Sequence, residues 1–194
     1  MITHIDGILE EKNPAYTVLD VNGMGYILHI SLNTFSDLPE KGRVRLFTHL
    51  SIREDAHVLF GFSSKAEREM FRHLISVSGV GPSTARMVLS GMTPSECANA
   101  IVNEDVATFK NVKGIGAKTA ERVIVDLKDK VSGDLIVGEK LSSSNNTIKN
   151  EALTALIVLG VDKKRAEKII ADVFKKHGED LTVEDLVKIT LKSL

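Results

Sequence analysis

The sequence predicts an α+β protein made of several small domains. Three observations predict this class. The first third of the 194 residues is rich in strand formers, the middle third has helical patterns interrupted by glycines, and the last third is helical again after a Ser/Asn-rich stretch. The domains expected from these changes are residues 1–63, 64–131 and 148–194, with residues 132–147 as a flexible linker.

Residues 1–63 carry short strand patterns separated by turn signals. These patterns occupy residues 15–21, 26–30, 43–50 and 58–62. Asn22-Gly23 lies between the first two, and this dipeptide is typical of a two-residue β-hairpin turn. Five or six short strands in a segment of this length predict a small β-barrel of the OB-fold type.

The most informative feature is an internal repeat at an offset of 35 residues. Residues 77–85 (VSGVGPSTA) align with residues 112–120 (VKGIGAKTA), and each copy lies between two helical patterns. Each Gly-hydrophobic-Gly predicts a tight turn with positive φ at its glycines and with Val80 or Ile115 turned inward. The helix that follows has unpaired N–H groups and a positive dipole end, which together bind phosphate. The pattern has the form of a tandem helix-hairpin-helix DNA-binding domain that is all α.

The repeat supplies the candidate DNA-binding residues. They are Gly79, Val80, Gly81, Ser83, Thr84, Gly114, Ile115, Gly116, Lys118, Thr119 and Arg122. Lys113 also lies on the second copy, whereas Arg86 either supports the first copy or is an ordinary surface charge of a helix. Lys118-Thr119 does not complete a P-loop, because Val112 and Ala117 replace both glycines of Gly-x4-Gly-Lys-[Ser/Thr]. We therefore expect no nucleotide hydrolysis by this chain.

Composition excludes several other classes. The single Cys97 rules out an intrachain disulfide and a cysteine-rich zinc site, and the six histidines show no metal-ligand spacing. No apolar run approaches the roughly 18 residues of a membrane-spanning helix, and the first residues lack the pattern of a secretory signal. We expect a cytoplasmic protein with no membrane partner, no metal and no cofactor.

The charge distribution favours the middle segment as the one that meets a polyanion. The chain has a net charge of −1, which argues against coating DNA by bulk electrostatics. The net charges of residues 1–63, 64–131 and 132–194 are −3, +2 and 0. The absence of Trp and the presence of only two Tyr argue against a stacking platform for single strands.

Two adjacent acids, Glu54 and Asp55, lie between two strand patterns. A solvated hairpin tip is the usual interpretation of such a pair. The alternative is a tip that repels DNA phosphates, by about 1 kcal/mol per pair of exposed charges at about 4 Å in water. A nuclease metal site is disfavoured, because adjacent strand residues point to opposite faces and no further carboxylates converge.

The tail, residues 148–194, predicts three amphipathic helices broken near Gly160 and Gly178. Its expected core residues are Leu153, Leu156, Ile157, Val173 and Leu186. A bundle of this size leaves apolar surface exposed, which favours a patch for docking a partner. The bundle resembles UBA domains, and ubiquitin binding is an alternative that nothing else in the sequence favours.

Over nearly the whole chain, these features resemble the RuvA family. The matching residues are Gly7, Asn22-Gly23-Met24-Gly25-Tyr26, Thr48-His49, Arg53-Glu54-Asp55-Ala56, Leu59-Phe60-Gly61-Phe62, Gly79-Val80-Gly81-Pro82, residues 114–122 (GIGAKTAER), Ala155-Leu156 and Leu159-Gly160. The resemblance implies a four-fold symmetric homotetramer, single or doubled, that holds a four-way (Holliday) DNA junction open in recombination and in repair of DNA damage as part of the SOS response.

The resemblance also implies roles for particular residues. The barrels meet at the centre of the tetramer, Glu54 and Asp55 form an acidic pin at the crossover, and the tandem hairpins grip the arms. The tail docks on a RuvB-type hexameric ATPase around Leu156, Leu159 and Val161. The chain itself is then a non-catalytic subunit without catalytic residues, and a junction resolvase is a further partner.

Three departures and two rival functions remain open. Ser83 and Ala117 stand where many family members carry a basic residue, and Val161 stands where an aromatic one is common. A helix-hairpin-helix glycosylase needs an Asp about twenty residues after the hairpin and a pocket for a flipped base. Asp134 has that spacing but lies in the predicted linker. A pure protein-interaction adaptor conflicts with the repeat.

Overall fold

The computed structural model describes residues 2–139, 144–177 and 181–193. These residues form two compact units, Met1–Ser132 and Gly133–Leu194. The first unit contains the strand-rich segment together with the glycine-interrupted helices. The second contains the helices of the tail. The finer boundaries expected from the sequence stay a prediction.

Five strands and one short helix make up the N-terminal barrel. They are β1 (His4–Asn13), β2 (Tyr16–Val21), β3 (Met24–His29), α1 (Leu32–Asp37), β4 (Arg43–Ile52) and β5 (His57–Phe62). The strands close in the order β1-β2-β3-β5-β4. All pairs are antiparallel except β3–β5, which meet in parallel at His29 and Phe60. The predicted OB-type barrel is confirmed. The strand patterns identified in the sequence did not include β1, and no helix was predicted at α1.

The barrel follows from an alternation of apolar and polar residues and from one tight turn. Leu19, Leu28 and Leu46 are almost completely buried inside it. Asn22 and Gly23 both have positive φ, 54° and 86°, as a type I′ turn requires. This turn pairs Val21 with Met24 and so fixes the register of the β2–β3 hairpin.

Five helices follow the barrel. They are α2 (Lys65–Ile75), α3 (Pro82–Gly91), α4 (Pro94–Val102), α5 (Val106–Lys110) and α6 (Ala117–Glu139). The sequence predicts two of these helix starts, from Ser64 with Glu67 and from Thr93-Pro94-Ser95-Glu96, and both are confirmed. The Ser64 side chain accepts from the Glu67 amide at the start of α2, and Thr93 with Glu96 forms a capping box at the start of α4.

The helices are joined to the barrel by an aromatic cluster and a buried carboxylate. Phe71 of α2 contacts Phe60 and Phe62 of β5, with ring centroids 5.0 and 4.9 Å apart. Glu67 is 1% exposed. Its carboxylate accepts hydrogen bonds from the Ser31 hydroxyl and from the Thr34 hydroxyl at 2.6 Å. Burial raises the pKa of Glu67, an effect that these two hydrogen bonds partly oppose.

In the second unit, which begins with the last residues of α6, the described residues of the tail form a bundle of three helices. Its helices are α7 (Ser144–Val158), α8 (Lys163–His177) and α9 (Val183–Lys192). Its core residues are Ala152, Leu156, Ala166, Ile170, Val173, Phe174 and Leu186. The predicted core positions Leu156, Val173 and Leu186 are confirmed, and Leu153 packs half-buried against them. The prediction for Ile157 is wrong: its side chain is 42% exposed, because one residue along a helix turns it about 100° from Leu156.

The predicted linker, residues 132–147, is helical wherever the structure describes it. Helix α6 continues to Glu139 and α7 begins at Ser144, while residues 140–143 lie outside the described residues. The segment 133–139 contains no proline, so its backbone can keep donating along the helix. Within the described ranges, the longest helices are too short or too polar to cross a membrane.

Candidate nucleic-acid interface

The first hairpin joins α2 to α3. Gly79 has φ +93°, in the left-handed region that glycine adopts at little cost. The Val80 amide donates to the Val77 carbonyl at 3.0 Å, and the Val80 side chain is 5% exposed. Gly81 is the N-cap of α3 and offers no side-chain cap. The buried Val80 side chain therefore holds the turn in place, and no side chain of Gly81 caps the N-terminus of α3.

The second hairpin joins α5 to α6 and repeats this geometry. Gly114 has φ +95°, the Ile115 amide donates to the Val112 carbonyl at 3.1 Å, and the Ile115 side chain is 6% exposed. The Ala120 amide donates to the Gly116 carbonyl at 2.9 Å, as the Ala85 amide does to the Gly81 carbonyl. The sequence repeat is thus a structural repeat, down to the same hydrogen bonds.

The two glycines of each hairpin have different tasks. Positive φ occurs at Gly79 and Gly114, whereas Gly81 has φ −84° and Gly116 is not among the positive-φ glycines of the described chain. The expectation of positive φ at the second glycine is therefore wrong. A Cβ added at Gly81 or Gly116 would meet nothing within 4 Å. The second glycine therefore places no side chain beside the helix N-terminus, where there is open space.

The exposed helix ends are the candidate phosphate-binding groups. The first amides of an α-helix have no hydrogen-bond partner inside the helix. They point outward from its N-terminus, which is also the positive end of the helix dipole. In the second hairpin these amides belong to residues 116–119. In the first they belong to Gly81, Ser83 and Thr84, because Pro82 has no N–H. Both ends can hold a phosphate by backbone alone.

Thr84 and Thr119 lie between the two hairpins. A Cβ built on Gly79 would be 3.6 Å from the Thr119 Oγ1, and one built on Gly114 would be 3.6 Å from the Thr84 Oγ1. Each threonine thus packs against the first glycine of the other hairpin. The side chains of Val80 and Ile115, also proposed as DNA-binding residues, are buried. For these four residues, the structure assigns the side chains to packing.

The cations of the two hairpins are placed differently. Lys113, Lys118 and Arg122 of the second copy are all exposed. Arg86, near the first copy, donates through Nη1 to the Ala15 carbonyl at 2.7 Å and lies 3.5 Å from the His29 Nδ1. It is therefore an anchor between α3 and the barrel rather than an unattached surface charge.

The acidic pair forms the tip of the β4–β5 hairpin. The Arg53 amide donates to the Ala56 carbonyl at 2.9 Å, which closes a tight turn with Glu54 and Asp55 at its centre. Both acids are exposed. Across the described residues, no group of three His, Cys, Asp or Glu is placed to hold a metal ion.

The predicted docking residues of the tail do not share one surface. Leu156 is completely buried in the bundle, so its side chain is unavailable to a partner in this fold. Leu159 is 62% exposed. Val161 is half-buried against the core, just after Gly160 ends α7 with φ +89°. Leu159, together with the exposed Ile157, is the accessible part of this region.

Known families match both halves of the first unit. Residues 1–61 match the RuvA N terminal domain, and residues 71–129 match a SAM-like helix-hairpin-helix tandem. A protein of Christiangramia forsetii, named Holliday junction branch migration complex subunit RuvA, is 54% identical over 194 residues and covers 100% of both chains. The chain belongs to the RuvA family.

Other RuvA proteins are similar over the full length. The RuvA protein of Cytophaga hutchinsonii is 50% identical over 99% of this chain and 99% of its own. The RuvA protein of Coxiella burnetii is 40% identical over 100% of this chain and 98% of its own. The resemblance drawn from the sequence is thereby confirmed for all parts of the chain. RuvA membership also accounts for the barrel and the tandem hairpins occurring together.

Sequence reasoning missed two residues that hold this RuvA barrel and its hairpins together. The sequence pattern predicts Glu67 only as part of the start of α2, yet its carboxylate accepts hydrogen bonds from Ser31 and Thr34 at the start of α1. The link from Arg86 to Ala15 spans 71 positions. A charged residue in a mostly apolar helix face is a signal for such a contact, but nothing local indicates the partner.

Proposed function

We propose that this protein binds four-way (Holliday) DNA junctions as a homotetramer and directs a RuvB-type hexameric ATPase to them for branch migration. It acts in the cytoplasm, in recombination and DNA repair, as the non-catalytic subunit. Its RuvA relatives carry the name of a Holliday junction branch migration complex subunit. The observation that carries the proposal is the pair of reciprocally packed hairpins with two open helix N-termini.

The hairpins explain binding without sequence preference. Backbone amides at helix ends contact phosphates, and phosphate contacts position a protein on DNA without reading bases. Reciprocal packing of Thr84 and Thr119 fixes the spacing of the two ends. Lys118 and Arg122 then add charge beside the second end. Such a unit suits the arms of a junction of any sequence.

The acidic tip supports selectivity for a junction. Glu54 and Asp55 extend from the barrel on a tight turn, in the part of the chain with net charge −3. Four such tips at the centre of a tetramer repel phosphates where strands would otherwise close together. The hairpins supply the attraction and the tips hold the crossover open.

The outer face of the barrel supports self-association. Ile8, Met24 and Ile27 are 46, 60 and 52% exposed, and they lie on β1 and β3, the two strands that flank β2. Exposed apolar side chains on neighbouring strands favour an interface. We assign this face to contacts between barrels in the tetramer.

The test is a gel shift of a synthetic four-way junction against linear duplex of the same sequence, over a series of salt concentrations. Strong preference for the junction with four chains bound supports the proposal. Equal binding of both DNAs contradicts it. Glu54→Gln with Asp55→Asn should retain junction binding and reduce the preference several-fold, since only the repulsion is removed.

Docking of the motor is tested separately on the tail. Leu159→Asp should abolish stimulation of the RuvB ATPase and leave junction binding unchanged, because the residue is exposed and lies in the other unit. Leu191→Asp, which places the same charge on α9 at a position 41% exposed, is the matched control. Stimulation that survives in Leu159→Asp would place the docking site elsewhere.

A further inference from the structure

A cavity of about 250 Å³ lies between the acidic tip and the start of α3. Its polar lining residues are His29, Ser51, Arg53, Asp55, Ser83 and Arg86. The cavity therefore joins the barrel hairpin to the first helix-hairpin-helix copy. Two of its residues are arginines, which is the side chain best shaped for binding a phosphate.

Arg86 lines this cavity, and only part of its guanidinium group is used in hydrogen bonds within the described chain. Its Nη1 bonds the Ala15 carbonyl, and the hydrogen bonds found within the described chain leave Nη2 and Nε available. Burial and the guanidinium of Arg86 lower the pKa of the neighbouring His29, which disfavours the charged form of its ring. The barrel thus fixes the position of Arg86, which is one of the residues that line the cavity.

Arg53 approaches the same cavity from the tip of the β4–β5 hairpin. Its backbone is fixed by the hydrogen bond to Ala56, and its side chain is exposed. Among the described residues, no carboxylate forms an ion pair with its guanidinium. Two guanidinium groups and one carboxylate, that of Asp55, leave the cavity with an excess of one positive charge.

Comparison of the two repeats points to the same place. Ser83 and Arg86 of the first copy occupy the positions of Lys118 and Glu121 in the second. The first copy thus has its cation three residues later, one turn along the helix and facing the barrel. The positive charge that Lys118 provides at the N-terminus of α6 is therefore provided in the first copy by Arg86, beside the cavity.

We propose that this cavity binds one backbone phosphate of a DNA strand that runs from a junction arm to the crossover. Arg53 and Arg86 are its cationic ligands, and Ser83 adds a hydroxyl donor. This inference rests on the proposed function, because it needs a junction bound to the tandem hairpins. It makes the site a third phosphate contact, between the hairpins and the acidic tip.

Arg53→Gln tests the cavity without disturbing the fold, since the side chain is exposed. Junction affinity should fall three- to tenfold, and the slope of log K against log salt should decrease by about 0.9, the value for one lost phosphate contact. Lys41→Gln is the matched control. It removes the same charge just before β4, at the opposite end of that strand from the tip, and should change neither quantity.

A junction with uncharged methylphosphonate linkages next to the crossover identifies the ligand. If Arg53 contacts one of those phosphates, the cost of Arg53→Gln should largely disappear on this DNA, because the two changes remove the same interaction. A cost that is undiminished on the neutral linkages overturns the proposal, and so does an unchanged salt slope. A parent protein without preference for junctions would instead contradict the proposed function.

Discussion

The two helix-hairpin-helix copies have the same backbone and different charges. Gly79 and Gly114 have φ within 2° of each other, at +93° and +95°. Yet Lys118 projects from the second copy, where the first has Ser83, and the cation of the first copy, Arg86, is bonded to the barrel. The comparison shows that the two copies share their backbone and not their charges, which favours the backbone as the carrier of the proposed phosphate binding. Side-chain charge varies with what each copy packs against.

The largest effect expected is from changing that backbone. Gly114→Ala forces a Cβ into the left-handed region, at a cost of about 1–2 kcal/mol, and brings it 3.6 Å from Thr84. Junction affinity should fall about tenfold or more, as measured by fluorescence anisotropy. Gly91→Ala is the control, because a Cβ there meets nothing within 4 Å. Equal affinity of the two variants would show that the hairpin geometry is not required.

Exchanging the charges tests the difference between the copies. Lys118→Ser should lower junction affinity three- to tenfold and reduce the salt slope by about 0.9, through the loss of one phosphate contact. Ser83→Lys should raise both. If the copies are equivalent, the double variant should return to the affinity of the parent. A double variant as weak as Lys118→Ser would show that only the second hairpin uses a lysine.

The attachment of the first copy to the barrel should depend on pH. Burial raises the pKa of Glu67, so the folded state binds this proton more tightly than the unfolded state. The contribution of Glu67 to the free energy of unfolding therefore decreases as pH rises from the ordinary carboxyl pKa through the raised one. Glu67→Gln should remove this decrease.

Urea unfolding of the parent and Glu67→Gln at several pH values measures the difference. The variant also loses one hydroxyl hydrogen bond, worth about 1 kcal/mol, so it should be less stable at acidic pH and should gain relative to the parent as pH rises. The carboxyls whose pKa is lowered, such as Asp6 and Glu104, are common to both proteins and cancel in the comparison. A pH-independent difference would contradict the assigned titration.

The smallest effect is expected at the contact between the copies. Thr84→Val keeps the shape that packs against Gly114 and removes only the hydroxyl. Junction affinity should change less than twofold, by isothermal titration calorimetry. A loss similar to that of Lys118→Ser would show that the Thr84 hydroxyl binds DNA directly.

Local patterns were sufficient for much of the molecule. Asn22-Gly23 predicts its turn because few residues tolerate positive φ, and Ser64 and Thr93 predict helix starts because their hydroxyls satisfy free amides. The repeat predicts the hairpins, with positive φ wrongly extended to the second glycines. Helix continuation to Glu139 and the exposure of Ile157 were not predicted. Residues 155–158 are all apolar, so the local pattern does not show which of them faces the core.

The sequence by itself determined the order of the domains, the tandem hairpins and their open helix ends, because these depend on short-range hydrogen bonding and on the φ that glycine permits. Only the tertiary structure decided which side chains are engaged inside the protein and which remain accessible. Thr84 and Thr119 each pack against the first glycine of the other hairpin, Leu156 is buried, and Arg86 is bonded to the barrel through a residue 71 positions away. Such pairings are chosen by close packing between distant segments, which no local pattern encodes.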